Sequence, residues 1–442
     1  MNRFSGNEAH PASDYPYLRP TKGAIQNEVR GGIAHRREGL TTTEFSGVRL
    51  SPLGQLSRPF GYSPDLLLVD DNDFCTLCES CDETPTPGFE TGVFLFGGYL
   101  RKIWGHFLMG GTGRLWPVAG GGQKVDGVIF FAHDAELLAP GGNYLELLKL
   151  AGVADKMHIF FNEDIVVGPE ATLIVPEISF EHDKFHSDEC SATFDFIRAN
   201  ALKHTSAAEH SPEKVFFTRS GLKNAASDEV NLRLLDRFFS DNGYTVVSPE
   251  KLSLAEMVRL LAGVREFASV SGSTAHNIVF APPMADRRVT IIERHAWVNT
   301  FQTNINLMCG IEAHMVDAFR MPVFSTSQGF VFLYGFTDEL AAYARDMRMD
   351  VSAFASCGSI SSRRRELRRY LRRYRRYYGN SQALEPWEVE GAASLAEAVV
   401  EAREYYGRWL VELRPLLWFD YLTPRFYLRA AKRLVRRIFS RT

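Results

Sequence analysis

Short apolar runs alternate with longer amphipathic stretches between residues 214 and 293. The apolar runs are rich in β-branched and aromatic residues and predict buried strands at 214–219, 244–248, 267–272 and 289–293. The stretches between them repeat apolar residues at helical spacing, which predicts helices over 228–239 and 252–264, with Ser253 as N-cap of the second. Strands that alternate with helices of this length predict a parallel sheet, which binds ligands at the carboxyl ends of its strands.

A second alternation of this kind runs through residues 89–205. The predicted strands are 93–100, 127–132, 156–161 and 171–177, and the predicted helices are 106–116 and 143–153. We therefore predict an α/β protein with two Rossmann-like domains, at 89–205 and 206–322. Residues 1–88 are rich in Gly, Pro, Ser and charge and predict an irregular N-terminal extension, whereas residues 323–442 predict a helical, basic C-terminal region.

Two C-terminal segments combine arginine with aromatic residues. Residues 363–378 hold nine arginines and one glutamate, and their leucines and tyrosines fall at helical spacing, which predicts an amphipathic helix with a cationic face. Residues 418–442 repeat the pattern. Basic helices with bulky aromatic residues suit an anionic membrane surface. We favour peripheral membrane association over core packing with a solvated basic side, and over nucleic-acid binding.

Length, charge and cysteine content restrict the possible functions and location of the protein. The chain of 442 residues is long enough for two domains, and its formal net charge of −3 argues against a general binder of nucleic acid. It has no apolar stretch of membrane-spanning length, and its first residues lack the apolar core of a signal peptide, so we expect a cytoplasmic protein. Cys75, Cys78 and Cys81 have metal-ligand spacing without a fourth ligand, and we favour reduced loop cysteines over a metal site, including one shared by two chains.

Three segments of the second predicted domain occur in a recognisable order: KVFFTRSG, then GYTVVSPEKLSLAEMVRLLAGV, then SVSGSTAHNIVFAPP. This order resembles glycosyltransferase family 61, a group of inverting nucleotide-sugar transferases that includes bacterial capsule and exopolysaccharide enzymes. The run GHFL at 105–108, followed by RLW at 114–116, resembles an upstream element of the same family. Together the similar segments span residues 94–317.

The resemblance implies a GT-B fold, in which two facing doubly wound domains hold the donor nucleotide mainly on the second domain. It further implies inverting transfer without a metal or other cofactor, from a UDP-linked or similar nucleotide sugar to a surface polysaccharide or lipid-linked acceptor. The chain departs from the family in one place. Where relatives carry a carboxylate after the GHFLL-like run, it has Gly110 and Gly111, so the identity of a general base is open.

A transferase of this kind must neutralise its diphosphate leaving group, and without a metal it does so with helix N-termini and basic side chains. Arg219 ends a predicted strand, where a parallel sheet presents its ligands, so we favour a phosphate contact over a surface ion pair. The turn after the third strand is the second candidate, favoured over an ordinary helix cap, and it comprises Gly272, Ser273, Thr274, His276 and Asn277.

Three polar residues in this part of the chain each have a functional and a structural interpretation. His276 either contacts ribose or phosphate or is a structural histidine. Glu293 ends the fourth strand and either holds ribose hydroxyls or forms a salt bridge or a helix cap. Glu256 occupies a position that is commonly acidic in the family, but a solvated helix face is the simpler interpretation.

His106 is the catalytic candidate, on the acceptor side of the cleft. An imidazole there can accept the proton of the acceptor hydroxyl, or it can position that hydroxyl. We expect His106 and the Ser273 turn on opposite walls of one cleft. Arg114 and Trp116 are interpreted as residues that pack and brace the predicted helix at 106–116. The glycine runs beside them are interpreted as flexible turns, since neither run has the Lys-Ser/Thr ending of a P-loop.

Three hypotheses for the function follow. The favoured one is a glycosyltransferase that builds capsule, exopolysaccharide or lipopolysaccharide at the cytoplasmic face of a bacterial membrane. The second is a catalytically impaired relative that binds sugar or acts as a scaffold in polysaccharide assembly, and the missing carboxylate at Gly110 supports it. The third is a nucleic-acid-binding protein that uses the arginine-rich helices, and the net charge argues against it.

Overall fold

The structure, a computed structural model, describes residues 15–50, 88–120, 122–132, 142–161, 165–203, 212–222, 227–321, 330–380 and 392–407. Cys75, Cys78, Cys81 and the basic tail at 418–442 lie outside these residues. The hypotheses made for them stay predictions.

The elements give a mixed α/β protein, as the sequence predicts. The strands are β1 (Ala34–Arg36), β2 (Thr42–Phe45), β3 (Val48–Leu50), β4 (Gly88–Leu100), β5 (Gly127–Ala132), β6 (Met157–Phe160), β7 (Ile165–Pro176), β8 (Phe180–Glu181), β9 (Phe185–Ser187), β10 (Lys214–Phe217), β11 (Ser227–Val230), β12 (Thr245–Val247), β13 (Glu266–Val270), β14 (Arg288–Glu293), β15 (Ala313–Asp317) and β16 (Phe330–Leu333). The helices are α1 (Pro20–Gly32), α2 (Trp104–Gly110), α3 (Asn143–Leu150), α4 (Asp188–Lys203), α5 (Leu232–Asp241), α6 (Leu254–Gly263), α7 (Ser273–His276), α8 (Thr300–Met308), α9 (Asp338–Asp346), α10 (Ile360–Asn380) and α11 (Ala392–Tyr406).

A fully parallel five-stranded sheet lies at the centre of residues 212–321, in the order β12-β10-β13-β14-β15. The apolar runs predicted four of its strands, and β10, β13 and β14 are buried along most of their length. Such strands need helices on both faces of their sheet. Here α6 and α8 cover one face and α5 and α9 cover the other, which is the doubly wound arrangement.

A mixed six-stranded sheet forms the other α/β unit, in the order β2-β7-β4-β5-β6, with β3 also paired to β7. Strands β7, β4, β5 and β6 run parallel, whereas β2 and β3 are antiparallel to β7. The predicted helix at 106–116 is shorter than expected, because α2 ends at Gly110 and turns follow it. Consecutive glycines have low helix propensity and end it there.

One hydrophobic cluster joins the two sheets. It runs from Val128 and Phe130 of the mixed sheet to Val215 and Val289 of the parallel sheet. Helices α4 and α6 both contribute buried residues to this cluster and pack against each other. The two units therefore share a continuous core on one side, and a cleft can form between them only where this core ends.

The helix predicted at 228–239 begins later than expected. Residues 227–230 form strand β11, which pairs in parallel with β16 about a hundred positions further along the chain. Asn231 then adopts a left-handed conformation, with φ of 68°, and α5 begins at Leu232. Apolar spacing in one segment cannot reveal a partner so distant, so the local pattern assigned the strand to the helix.

Residues 15–50 are more regular than the pattern of the N-terminal extension predicts. Helix α1 packs against the parallel-sheet unit and buries two of its cations, Arg19 and Lys22. The Lys22 Nζ donates to Asp317 Oδ1 at 2.8 Å and to Glu293 Oε2 at 3.1 Å. Strand β1 pairs with β9, and β2 and β3 extend the mixed sheet. Residues 15–50 thus brace both units.

The arginine-rich segment forms the helix α10, as predicted. Its apolar residues Leu367, Tyr370 and Leu371 are buried against β11 and β16 and against Ala402 and Tyr406 of α11. The part of the predicted apolar face formed by Leu367, Tyr370 and Leu371 is therefore a packing face. Among the helices of the described residues, none combines the length and apolar character that a membrane crossing requires.

Candidate functional site

A cleft of about 550 Å³ opens between the two units, at the carboxyl ends of β10, β12 and β13. Its wall on the parallel-sheet side consists of Arg219, Leu222, Pro249, Glu250, Lys251, Leu252, Ser253, Met257, Ser273, Thr274 and Asn277. The mixed-sheet unit contributes Trp104, Gly142, Asn143 and Tyr144. Ligands of doubly wound sheets bind at this end of the strands, so the cleft is the candidate site.

Arg219 follows β10 and reaches the cleft in a fixed orientation. Its Nε donates to Glu229 Oε1 at 2.7 Å, and its Nη1 donates to Thr274 Oγ1 at 3.3 Å. Both Arg219 and Glu229 are largely buried, with 13 % and 7 % of their side chains exposed. A guanidinium held in this way loses little conformational entropy when it binds an anion.

Glu229 is shared between two guanidinium groups. It also accepts hydrogen bonds from Arg294 Nη1 at 2.9 Å and from the Tyr334 hydroxyl at 2.7 Å. Burial raises the pKa of Glu229, but Arg294 and Arg219 outweigh burial and hold that pKa below its usual value. One carboxylate is thus paired with two cations, so the three side chains together carry a net positive charge beside the cleft.

The turn after β13 contributes to the cleft through its side chains rather than through a helix N-terminus. Gly272 has a φ of +115°, and a Cβ added to it would lie 2.5 Å from Arg294 Nη2, so only glycine fits without strain. Helix α7 is a single turn that continues as a 3-10 helix, Asn277–Phe280, and is shorter than the sequence pattern predicts. The cleft is lined by Ser273 and Thr274 from this turn, but Gly272 lies behind them.

Asn277 connects the turn to the other unit. Its Oδ1 accepts a hydrogen bond from Trp104 Nε1 at 2.8 Å, and its Nδ2 donates to the Thr274 carbonyl at 3.0 Å. The Trp104 ring also meets the Tyr144 ring edge to face, at 5.2 Å between centroids. These contacts place two aromatic rings on the mixed-sheet side of the cleft, where they offer flat apolar surface to a ligand.

His276 lies beneath the turn and does not line the cleft. It is 6 % exposed, and its ring stacks on Phe301 at 4.6 Å and 18°. Neither ring nitrogen has a hydrogen-bond partner among the described residues. Burial, together with His106 and Arg294, lowers the pKa of His276 to about 3, so the imidazole is neutral at physiological pH. The structural interpretation of this histidine fits its position better than a phosphate contact does.

His106 also packs around Phe301 and does not line the cleft. Its ring meets Phe301 edge to face at 5.6 Å, and His182 stacks on the same ring at 5.9 Å. Burial, followed by Arg101 and His182, lowers the pKa of His106 to about 4. An imidazole with this pKa is a weak base at neutral pH.

The expectation that His106 and the Ser273 turn occupy opposite walls is wrong. Helices α2 and α7 are in direct contact. They are so close that a Cβ added to Gly105 would lie 2.5 Å from His276 Nδ1 and 3.2 Å from Ser273 Oγ. The missing side chain of Gly105 is what permits this approach. The glycine of the GHFL run thus has a packing role that its sequence position alone does not reveal.

Glu293 is fully buried behind the sheet and does not line the cleft. Its Oε2 accepts from Lys22 Nζ at 3.1 Å, and the same ammonium group also binds Asp317. Burial raises the pKa of Glu293 above its ordinary value, and Lys22 offsets only part of this effect. This geometry matches the salt-bridge interpretation rather than a contact with ribose.

Three other candidates serve as structural residues. Glu256 completes a capping box with Ser253, since each side chain accepts a hydrogen bond from the other's backbone N–H. Arg114 donates to the Pro176 carbonyl, and Trp116 Nε1 donates to the Glu177 carbonyl at 2.9 Å. These two bonds fix the end of β7, and not the helix that Arg114 and Trp116 were predicted to brace, because α2 already ends at Gly110.

Several residues in or beside the cleft have no local sequence pattern that marks them as functional. Tyr144 and Asn143 begin a helix of the other unit, and only the packing of the two units brings them to the cleft. Glu229 lies in a strand whose partner is distant in sequence. Trp104 directly precedes the GHFL run, and its position beside that motif was the one available clue. Within the described ranges, no cluster of three or more His, Cys, Asp or Glu side chains is arranged to hold a metal.

Comparison with protein families gives one match. The sequence model of the family described as Glycosyltransferase 61 matches residues 104–288. This segment contains all the described residues that line the cleft, from Trp104 to Asn277. A comparison with curated proteins finds no match.

Proposed function

From the premise that this chain belongs to glycosyltransferase family 61 through residues 104–288, we propose that it transfers a sugar from a nucleotide-sugar donor bound in the cleft. Glycosyltransferase activity follows from the family. The donor class, the acceptor class and the inverting course are our proposal. The observation that carries it is Arg219, held by Glu229 at the mouth of a cleft at the strand ends.

The donor diphosphate is proposed to bind at Arg219 and the Ser273 turn. Support comes from the positive charge of the Arg219–Glu229–Arg294 group and from the hydroxyls of Ser273 and Thr274 in the same wall. In the absence of a metal, such groups supply the charge stabilisation that a departing nucleoside diphosphate needs. The nucleoside would then lie along the Trp104 and Tyr144 side, where a flat base finds aromatic surface. We retain a UDP-linked sugar as the first donor to test.

A GT-B arrangement of the two units is likewise a proposal. The cleft supports it, because both units line it and it lies at the carboxyl ends of a doubly wound sheet. The shared core between α4 and α6 limits how far the two units can separate. We therefore expect donor binding to involve local movement of the cleft walls rather than a large rotation of one unit.

Inverting transfer requires a base that removes the proton of the acceptor hydroxyl. The family carboxylate is replaced by Gly110, and His106 lies outside the cleft with a pKa of about 4. Among the described residues that line the cleft, Glu250 is the carboxylate in reach of a bound acceptor. It is exposed and lies beside the Arg219–Gly221 loop, since a Cβ on Gly221 would approach Glu250 Oε1 to 2.5 Å. We assign the base role to Glu250 and leave to His106 an indirect role beneath the turn.

A catalytically impaired relative that binds sugar or acts as a scaffold is the second candidate. Gly110 supports it, because the carboxylate expected from the family is missing there. The two functions differ in one observable. An active transferase releases nucleoside diphosphate from a donor, whereas an impaired relative binds the donor without turnover.

The test is a panel of UDP-, GDP- and CMP-linked sugars. Thermal stabilisation by one donor, together with slow release of its nucleotide without acceptor and faster release with candidate saccharides, supports the transferase. Stabilisation without release, in wild type and Glu250→Gln alike, supports the impaired relative. No stabilisation by any donor contradicts both.

We further propose peripheral association with the inner face of the cell membrane, which would bring the cleft to a lipid-linked acceptor. Support comes from the exposed arginines Arg364, Arg368 and Arg372 of α10 and from the composition of residues 418–442. The buried residues Leu367, Tyr370 and Leu371 of α10 take no part. Cosedimentation with vesicles of phosphatidylglycerol or phosphatidylcholine tests this, using the full chain and a truncation ending before Leu416. Equal pelleting with both lipids contradicts it.

A further inference from the structure

A second cavity adjoins the cleft and is lined by arginines. It measures about 590 Å³ and shares Arg219 and Leu222 with the cleft. One face of α10 forms one side of this cavity, and β11 with the first turn of α5 forms the other. We call it the arginine pocket, and its cations are Arg219, Arg233, Arg365, Arg369 and Arg373.

The charges of the pocket do not balance. Its five arginines face three carboxylates, Asp228, Glu229 and Glu366. Glu229 is already shared between Arg219 and Arg294, and Arg294 lies outside the pocket lining. Burial raises the pKa of Glu366 to about 7, so this carboxyl carries only part of a negative charge near neutral pH. The lining is therefore cationic beyond what its own acids neutralise.

The arginines of α10 are arranged in a row. Arg365, Arg369 and Arg373 are spaced four residues apart and thus lie on the same side of the helix, facing the pocket. Like charges at this spacing repel one another and destabilise a helix. Burial of Leu367, Tyr370 and Leu371 on the opposite side holds the row in place despite this repulsion. Arg373 is already paired with Asp228, so an anion in the pocket would relieve the repulsion chiefly at Arg365 and Arg369.

The rest of the pocket presents groups that suit an anion. No side chain caps the first turn of α5, whose residues Leu232 and Arg233 line the pocket. The Asn231 side chain instead donates to Glu366 Oε1 at 2.6 Å and to the Tyr334 carbonyl at 3.2 Å. The backbone N–H groups of an uncapped helix start attract negative charge, which adds to the attraction of the arginine row.

We propose that the arginine pocket binds the phosphate or diphosphate group of the acceptor substrate. The shared residue Arg219 lies between the two cavities, so a saccharide attached to that group would extend toward the cleft and present its hydroxyl to the donor sugar. This inference rests on the proposed function. It adds the acceptor class, a saccharide that carries a phosphate, and assigns Arg365 and Arg369 to its recognition.

Phosphate explains the pocket better than a membrane surface does. Guanidinium groups bind phosphate oxygens in pairs of parallel hydrogen bonds, and several converging arginines are the common way to hold a diphosphate. Arg365, Arg368, Arg369 and Arg372 are all exposed to solvent, but of these four only Arg365 and Arg369 line the concave pocket, where several guanidinium groups can reach one anion. The two groups of arginines on α10 can therefore be tested separately.

Calorimetric titration of inorganic diphosphate into UDP-saturated full-length protein tests the proposal. UDP occupies the cleft, so the remaining binding reports the arginine pocket. We expect one diphosphate to bind, Arg365→Ala and Arg369→Ala to weaken it about tenfold each, and Arg369→Lys to weaken it about as much as Arg369→Ala, since lysine keeps the charge but not the paired hydrogen bonds. The matched control is Arg368→Ala, which removes one charge of the same helix outside the pocket. UDP affinity should stay unchanged in all four variants.

Three results would overturn the inference: no diphosphate binding to the wild type, equal loss in Arg368→Ala and Arg369→Ala, or loss of binding to phosphatidylglycerol vesicles in Arg369→Ala with diphosphate affinity intact. The last result would assign the row to the membrane. If UDP itself does not bind, the proposed function fails, and the titration is done on nucleotide-free protein. Weaker diphosphate binding in Arg369→Ala than in Thr274→Val would then still support the pocket, and the reverse order would contradict it.

Discussion

Replacing Arg219 with alanine tests how the cleft holds a nucleotide. The guanidinium is held by Glu229 at 2.7 Å and by Thr274 at 3.3 Å, so it is oriented before a ligand arrives. A hydrogen bond to a charged group contributes about 1 to 3 kcal/mol net. We therefore expect Arg219→Ala to weaken UDP binding by about 5- to 150-fold. Isothermal titration calorimetry measures this change directly.

The substitution is suited to this test because the fold should tolerate it. Glu229 keeps its hydrogen bonds from Arg294 at 2.9 Å and from Tyr334 at 2.7 Å, so no buried carboxylate is left without a partner. The control is Arg237→Ala, which removes an exposed arginine of α5 that pairs with Asp241 and does not line the cleft. Thermal unfolding of both variants checks that the fold is intact.

Two outcomes would refute the reasoning. Unchanged affinity of Arg219→Ala for UDP, GDP and CMP compounds would show that this arginine does not contact the donor. An equal loss in Arg237→Ala would show that total charge, rather than the geometry at Glu229, governs binding.

Four further predictions follow from the site and its surroundings. Asn277→Ala removes the bond to Trp104 and should weaken UDP binding by about 1 to 3 kcal/mol by calorimetry, and unchanged affinity would exclude the turn from donor binding. Glu250→Gln should lower kcat at least about 100-fold, whereas His106→Ala should lower it far less; the reverse order in a nucleotide-release assay would restore His106 as the base. Gly272→Ala should destabilise the fold by roughly 1 to 3 kcal/mol more than Gly243→Ala, because both glycines have positive φ but only the Cβ at 272 would overlap Arg294, and equal melting temperatures would contradict this. Burial raises the pKa of Glu366 from 4.5 to about 7, so the folded state binds the proton more tightly and stability falls by up to about 3 kcal/mol as pH rises from about 4.5 to 7; Glu366→Gln should lack this fall in urea titrations at several pH values, and parallel curves for both proteins would refute it.

The sequence predicted the parallel sheet well, for a local reason. Strands β10, β13 and β14 are buried on both faces, so their residues form continuous apolar runs that periodicity can detect. The cap of α6 was equally visible, because Ser253 and Glu256 are three residues apart and need no other segment to form their hydrogen bonds. Arg219, Ser273, Thr274 and Asn277 were located from these local features.

Long-range packing decided the features that the sequence did not predict. Glu293 lies at a strand end, where carboxylates often bind ligands. It is instead paired with Lys22, which lies in a helix more than two hundred residues earlier in the chain. The cleft is completed by Tyr144 and by Trp104, whose places depend on how two units dock. His106 was assigned to the opposite wall because the spacing of the chain says nothing about the close approach of α2 to α7 at Gly105.

The same limit applies to α10. Its amphipathic pattern correctly predicted a helix with one apolar and one cationic side, but amphipathicity alone does not distinguish a membrane surface from a protein core. The strand pair β11 and β16 and the helix α11 provide the apolar partner. None of these contacts is local in sequence, so the packing role of Tyr370 and Leu371 became visible only in the fold.

A structure of the protein with bound UDP tests the central claim most directly. Our proposal predicts density for the diphosphate within hydrogen-bonding distance of Arg219 and of Ser273 or Thr274, with the uracil ring on the Trp104 and Tyr144 side of the cleft. Nucleotide bound anywhere else on the molecule, or a cleft that remains empty at saturating UDP, would contradict the proposal that this cleft holds the donor.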